Sequence, residues 1–206
     1  DKKGEILEEM PERGLAGVRA IFQGLSAYEP NYEAFGKIER HNDIGYPSVL
    51  MFTDANTEDV VSDPNGYNWN GNSLDYSDRT YTSYESQMVW NDHYNAIYVA
   101  NTVIKGYNTG EDPTNQEARF FYAQGLAARA YFYFNLAQLY QFTYKDNETK
   151  PCIPVVTDEN TAKSQVEGTP CSTVEETYTQ IKSDIDHAIT LLEGTSYERE
   201  DKRYIS

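Results

Sequence analysis

Residues 117–140, EARFFYAQGLAARAYFYFNLAQLY, leave little choice of architecture. Seventeen of these 24 residues are apolar or aromatic and none is proline, so the stretch reads as one long helix of about seven turns. One stripe runs Ala118, Phe121, Tyr122, Gly125, Ala128, Phe132, Leu136 and Leu139, and a second holds Phe120, Ala123, Ala127, Ala130, Tyr131 and Phe134. Two apolar faces need two covering helices. Small residues around Gly125 permit a close approach on one side, and the large rings fill the grooves beside it. A membrane span is excluded, because Arg129 sits at the centre and no run of about 18 uncharged apolar residues occurs anywhere in the chain.

The neighbours are legible on both sides. A helix is expected over residues 84–105, opened by the capping box Thr82-x-x-Glu85, with its core stripe at Trp90, Tyr94, Ile97, Asn101 and Ile104 and its end at Gly106 or Asn108. About eight polar residues join it to the central helix, which starts at Thr114 or Asn115, so the two should pair antiparallel, with Trp90, Tyr94 and Ile97 against the aromatic side of the partner. A third helix should open at Ser172-x-x-Glu175 and run to Gly194 with Val174, Tyr178, Ile181, Ile185, Ala188 and Leu192 on one face. With no fourth helix visible after it, that face is expected to stay uncovered. Asn101 and Arg129 sit on core stripes and read as satisfied buried polar groups. Nearer the start, residues 14–27 predict another helix, while Tyr46 to Phe52 suits either a short helix opening at Pro47 or a buried extended piece. Residues 53–59 carry four carboxylate or amide side chains but lack the glycine and closing glutamate of a calcium loop, and no metal is expected there.

Residues 62–82, SDPNGYNWNGNSLDYSDRTYT, differ in kind. Almost every apolar residue is aromatic and is separated from the next by polar turn formers, which predicts an exposed loop offering rings to solvent. Cys152 and Cys171 flank a second polar loop; an oxidising compartment would let them pair, and otherwise they are two independent thiols.

Thirty-three acidic against 17 basic residues give a net charge of −16, which disfavours nucleic acid and anionic membrane surfaces as partners. His41, His93 and His187 fall in no zinc-ligand spacing, and nucleotide-binding and hydrolase motifs are absent, so no cofactor, metal or enzymatic activity is predicted. Eighteen tyrosines suit half-wet surfaces.

Several stretches occur together in order: His41-Asn-Asp-Ile-Gly-Tyr-Pro-Ser48, Trp90-Asn-Asp-His-Tyr94 through Asn101, the central AR-x-x-x-A-x-GLAARAYFYFNLAQLYQ, Pro151-Cys-Ile-Pro-Val-Val156, and Ser172 to Ala188. This series resembles the SusD/RagB family of nutrient-binding outer-membrane lipoproteins, across nearly the whole chain. The resemblance implies an all-α fold of tetratricopeptide-like antiparallel helix pairs with long irregular loops, of which residues 1–206 are a single amino-terminal portion. It further implies a surface-exposed lipoprotein of the outer membrane, anchored through a lipid upstream of this chain. Such a protein binds an oligosaccharide or polysaccharide and delivers it to a SusC-like TonB-dependent transporter. A neutral sugar presents C–H faces that stack on rings and hydroxyls that need amide or carboxylate partners. Trp69 is accordingly the first candidate platform, Tyr67, Tyr76 and Tyr81 are further ones, and Asn72 and Asp75 are candidate hydroxyl partners. Two other readings stay open at this point: a helical protein-interaction scaffold, and a secreted glycoside hydrolase whose carboxylate pair the sequence does not reveal.

Overall fold

The computed structural model describes residues 43, 45–61, 66, 68 and 70–194. They form six helices: α1 (Tyr46–Ala55), α2 (Gly71–Leu74), α3 (Tyr84–Tyr107), α4 (Gln116–Tyr140), α5 (Thr161–Glu167) and α6 (Val174–Leu192). Among the described residues the one extended pairing is an isolated antiparallel bridge between Pro151 and Thr173. The helix expected over residues 14–27 lies outside the described residues. Among the described residues, those up to Asn95 and those from Ala96 onward belong to two compact units.

In the first unit the ambiguous stretch at Tyr46 is helical. Pro47 sits in the first turn of α1, where its missing N–H costs no hydrogen bond, and Gly45 precedes it at φ 79°, a left-handed conformation that favours glycine. Asp43 is buried beside this start and accepts from the Tyr84 hydroxyl at 3.0 Å and the Gly45 amide at 3.5 Å. Burial raises its carboxyl pKa, and those two bonds oppose the rise. The capping box expected at Thr82 and Glu85 does not form. Ser83 caps α3 instead, accepting from the Ser86 amide at 3.1 Å, which puts Glu85 one position short of a box, and the Glu85 carboxylate accepts from Asn72. Trp90 and Tyr94 lie against each other with ring centroids 4.7 Å apart.

The second unit is built on α4. Tyr107 stacks on Tyr122 at 6.5 Å, Val103 and Ile104 flank Gly125, and Asn101 reaches Arg129. These contacts recede in opposite directions along the two helices, so the end of α3 and the start of α4 form the antiparallel hairpin. Val103, Ile104 and Tyr107 are buried in this contact, and Ile97 is buried as well. Asn115 caps α4, its side-chain oxygen accepting from the amides of Glu117 and Ala118.

The last helix is not left uncovered. Arg119 donates to the carbonyl of Thr190, Tyr122 meets His187 edge-on at 5.1 Å, Arg129 pairs with Asp184, and Phe134 meets Tyr178 at 6.3 Å, so α6 runs antiparallel along α4. Ile181, Ala188 and Leu191 are buried in that contact, whereas Ile185 and Ile189 stay exposed. Its capping box lies one residue later than expected, at Thr173 and Glu176. On α4 the buried residues run from Phe120 to Ala137, but Tyr131, Phe134 and Leu139 remain 41–46 % exposed, contrary to their places on the apolar stripes.

A polar core crosses the three helices. Arg129 donates through Nε and Nη2 to both oxygens of Asp184 at 2.7 Å, and through Nη1 to Asn101 at 2.9 Å and Asp158 at 3.0 Å. Burial alone would lower its pKa, but the bonds and charges of Asp184 and Asp158 outweigh that and raise it. Residues 154–160 close the core from the side. The Tyr133 hydroxyl donates to the Val156 carbonyl at 2.6 Å and accepts from the Val156 amide at 2.7 Å, while Asn101 donates to the same carbonyl. Burial pushes the Tyr107 and Tyr122 hydroxyls up to about 12.

The two cysteines, which the sequence left as a pair or as two independent thiols, stand as free thiols in this structure. Around the Pro151–Thr173 bridge, Cys152 donates its amide to Ser172 at 2.7 Å, but its thiol turns inward beside Thr177 while Cys171 faces solvent. Labelling of unfolded, unreduced protein with a maleimide is expected to count two thiols per chain. A count of zero, restored to two by reductant, would mean that a bond forms between them.

Candidate functional site

The aromatic loop is tied down by polar groups that composition did not reveal. After α2, Asp75 donates its amide to the Gly71 carbonyl, Tyr76 to that of Ser73, and Ser77 to that of Asn72, so the chain doubles back on the short helix. Inside this turn Ser73 and Asp78 are buried. One Asp78 oxygen accepts from the Ser73 hydroxyl and from the Asn56 amide at 3.2 Å, which links the loop to the end of α1.

Arg79 makes the second link. Its Nε donates to Asn56 Oδ1 at 2.9 Å and its Nη2 to the Asn56 carbonyl at 2.6 Å, while the guanidinium carbon lies 4.0 Å from the centroid of the Tyr76 ring. Asn56 is held in turn by the Phe52 carbonyl, which accepts from its side-chain amide at 3.0 Å. Tyr76 has φ 57°, a left-handed conformation that costs a bulky residue on the order of 1–3 kcal/mol and persists only where surrounding contacts impose it.

Of the residues singled out in the sequence, Trp69 and Tyr67 lie outside the described residues. Asn72 is exposed and its amide donates to Glu85 at 3.2 Å; Asp75 is exposed at the end of α2. Tyr76 is 46 % and Tyr81 is 97 % exposed, so both present ring surface to solvent. The loop thus combines two open rings, an amide, carboxylates and one guanidinium. Asn56 and Arg79 were missed. The available signal was that Arg79 is the one lysine or arginine between Arg40 and Lys105, set among acidic residues.

Chemically the surface can hold and orient a ligand. No group of three His, Cys, Asp or Glu side chains among the described residues is placed to bind a metal ion. No helix of the described residues is long and apolar enough to cross a membrane.

Comparison with known proteins adds the following. Residues 43–204 match the SusD-like family model described as starch-binding and associating with the outer membrane. The chain is similar to a SusD-like carbohydrate-binding protein from Bacteroides vulgatus, with a TM-score of 0.70 and 24 % identity over 91 % of this chain and 38 % of that one. It is also similar to a SusD superfamily protein from Bacteroides thetaiotaomicron (TM-score 0.56, 16 % identity, 88 % of this chain and 37 % of that one). A third similar structure is a laminarin-binding SusD-like protein (TM-score 0.55, 22 % identity, 86 % and 33 %). The chain therefore spans 33–38 % of the length of these proteins, and at such identities the likeness concerns the fold. No curated protein matches the sequence.

Proposed function

Since the chain belongs to the SusD-like family, we propose that it captures a neutral glycan at the surface of an outer membrane and hands it to a SusC-like TonB-dependent transporter, without chemistry of its own. A lipid anchor upstream of this chain would hold it there. The observation that carries the reading is a family match covering a loop that exposes Tyr76 and Tyr81 beside Asn72 and Asp75. An exposed ring accepts the C–H face of a pyranose, and amide and carboxylate groups meet its hydroxyls. The net charge of −16 favours neutral over acidic polysaccharides.

Trp69 and Tyr67 complete the platform in this reading, because they alternate with asparagines immediately before α2. By analogy with bases stacked on aromatic side chains, a good platform contributes about 1–3 kcal/mol. Trp69→Ala is then expected to weaken binding at least roughly tenfold and leave the melting temperature nearly unchanged. Titration calorimetry against soluble polysaccharides, with analysis for released sugars, checks both parts. Lower stability with unchanged affinity would make Trp69 an anchor of the loop, and released product would favour the hydrolase. Failure to bind any glycan would favour the interaction scaffold, for which the exposed Tyr131, Phe134, Ile185 and Ile189 on α4 and α6 provide a surface.

A further inference from the structure

Tyr76 has one face of its ring occupied, by a guanidinium whose direction is set elsewhere. Arg79 spends two donors on Asn56, at 2.9 and 2.6 Å, and Asn56 is fixed by the Phe52 carbonyl at the end of α1 and by buried Asp78. A planar fork held at both Nε and Nη2 has little freedom left to rotate, so the end of α1 dictates where the guanidinium lies. The ring lies 4.0 Å from it. One side of the ring is taken, and 46 % of the residue is still exposed. The backbone of Tyr76 at φ 57° is not one that the residue adopts unaided, which is a second sign that its orientation is imposed by neighbours.

We propose that Arg79, locked by Asn56, is a positioning residue that holds Tyr76 as a preset stacking platform, giving a layered arrangement of guanidinium, phenol ring and sugar face. This deepens the glycan reading above and rests on it for the identity of the ligand. Arg79 itself need not touch the sugar. Its contribution is that the ring does not have to be ordered when ligand arrives, which is how preorganisation raises affinity. The cation draws electron density from the ring and so does not strengthen C–H stacking by itself. Lysine at this position should therefore fail to substitute, since it keeps the charge but cannot make both bonds to Asn56.

The test is a double-mutant cycle read by calorimetry with maltoheptaose, laminarihexaose and xylohexaose as probes. Tyr76→Ala and Arg79→Ala should each weaken binding roughly tenfold, and the double variant should be no weaker than either. Arg79→Lys and Asn56→Ala should behave like Arg79→Ala. A product of the two losses, roughly a hundredfold, would mean that Arg79 acts independently of the ring and would overturn the proposal, as would wild-type affinity in Arg79→Ala. A ligand-free measurement separates this from the glycan reading. In protein labelled with carbon-13 tyrosine, the ring signal that disappears in Tyr76→Phe should shift in Asn56→Ala. If it shifts and no probe binds wild type, the platform is preset and the glycan reading fails; if it stays put, the positioning proposal fails whatever binds.

Discussion

Arg129→Leu is expected to destabilise the protein by about 3–5 kcal/mol, the cost typical of removing one partner from a buried ion pair. Arg129 is 4 % exposed and its guanidinium engages two carboxylates and one amide, with Asp184 held in two-point geometry at 2.7 Å. Leucine would supply apolar volume but leave Asp184, itself 2 % exposed and accepting from the Gln180 amide, as an uncompensated charge. The loss therefore measures the stranded partners more than the worth of the pair. A double variant, Arg129→Leu with Asp184→Leu, should recover a substantial part of it, because an apolar pair of similar volume can replace a buried ion pair at little cost. Urea unfolding monitored by circular dichroism gives both values. A single-variant loss under about 1 kcal/mol would show that water reaches the cluster and screens it.

Gly125→Leu should cost about 3 kcal/mol, at the upper end of what overpacking a core usually costs. A Cβ at this position would lie 3.1 Å from Ile104 Cγ1 and 3.2 Å from Val103 Cγ1, which is already tight. Alanine is expected to be nearly neutral: it gains about 1 kcal/mol of helix propensity over glycine and gives up a similar amount to crowding. The three further carbons of leucine have nowhere to go without separating α3 from α4. Gly106 provides the control, since a Cβ there meets nothing within 4 Å and Gly106→Ala should stabilise by up to about 1 kcal/mol. Equal effects of alanine at both positions would mean that the close approach at Gly125 is not needed for packing.

The long helices and their antiparallel pairing were legible because periodicity records which face of a helix is apolar, and short polar connections limit how far the next helix can go. Small residues around Gly125 likewise announced a close contact, and Val103 and Ile104 make it. Helix starts were less legible. At α3 the cap is Ser83 rather than Thr82, and Glu85 pairs instead with Asn72, 13 residues earlier, which no local pattern discloses. Residues 157–168 read as a plain polar loop, yet they contain α5 and deliver Asp158 to Arg129.

For the candidate site, the sequence indicated a loop with rings and hydrogen-bonding groups and stopped there. The amide bond from Asn72 to Glu85 and the cluster of Asn56, Asp78 and Arg79 depend on residues 13–23 positions apart meeting through side chains.

What the amino-acid sequence determined by itself was the all-helical class, the long central helix, its antiparallel partner and the buried polar role of Arg129, since each follows from spacing within one helix or across one short turn. Only the tertiary structure decided which apolar residues were covered, leaving Phe134 and Ile185 in solvent while Ile181 went inside, and which carboxylates Arg129 would find. It also decided that Tyr76 would be stacked under Arg79. The physical reason is common to all three. A helix's own period says which way a side chain points, but what stands there to meet it comes from distant parts of the chain, brought together by packing and polar satisfaction rather than by any local pattern.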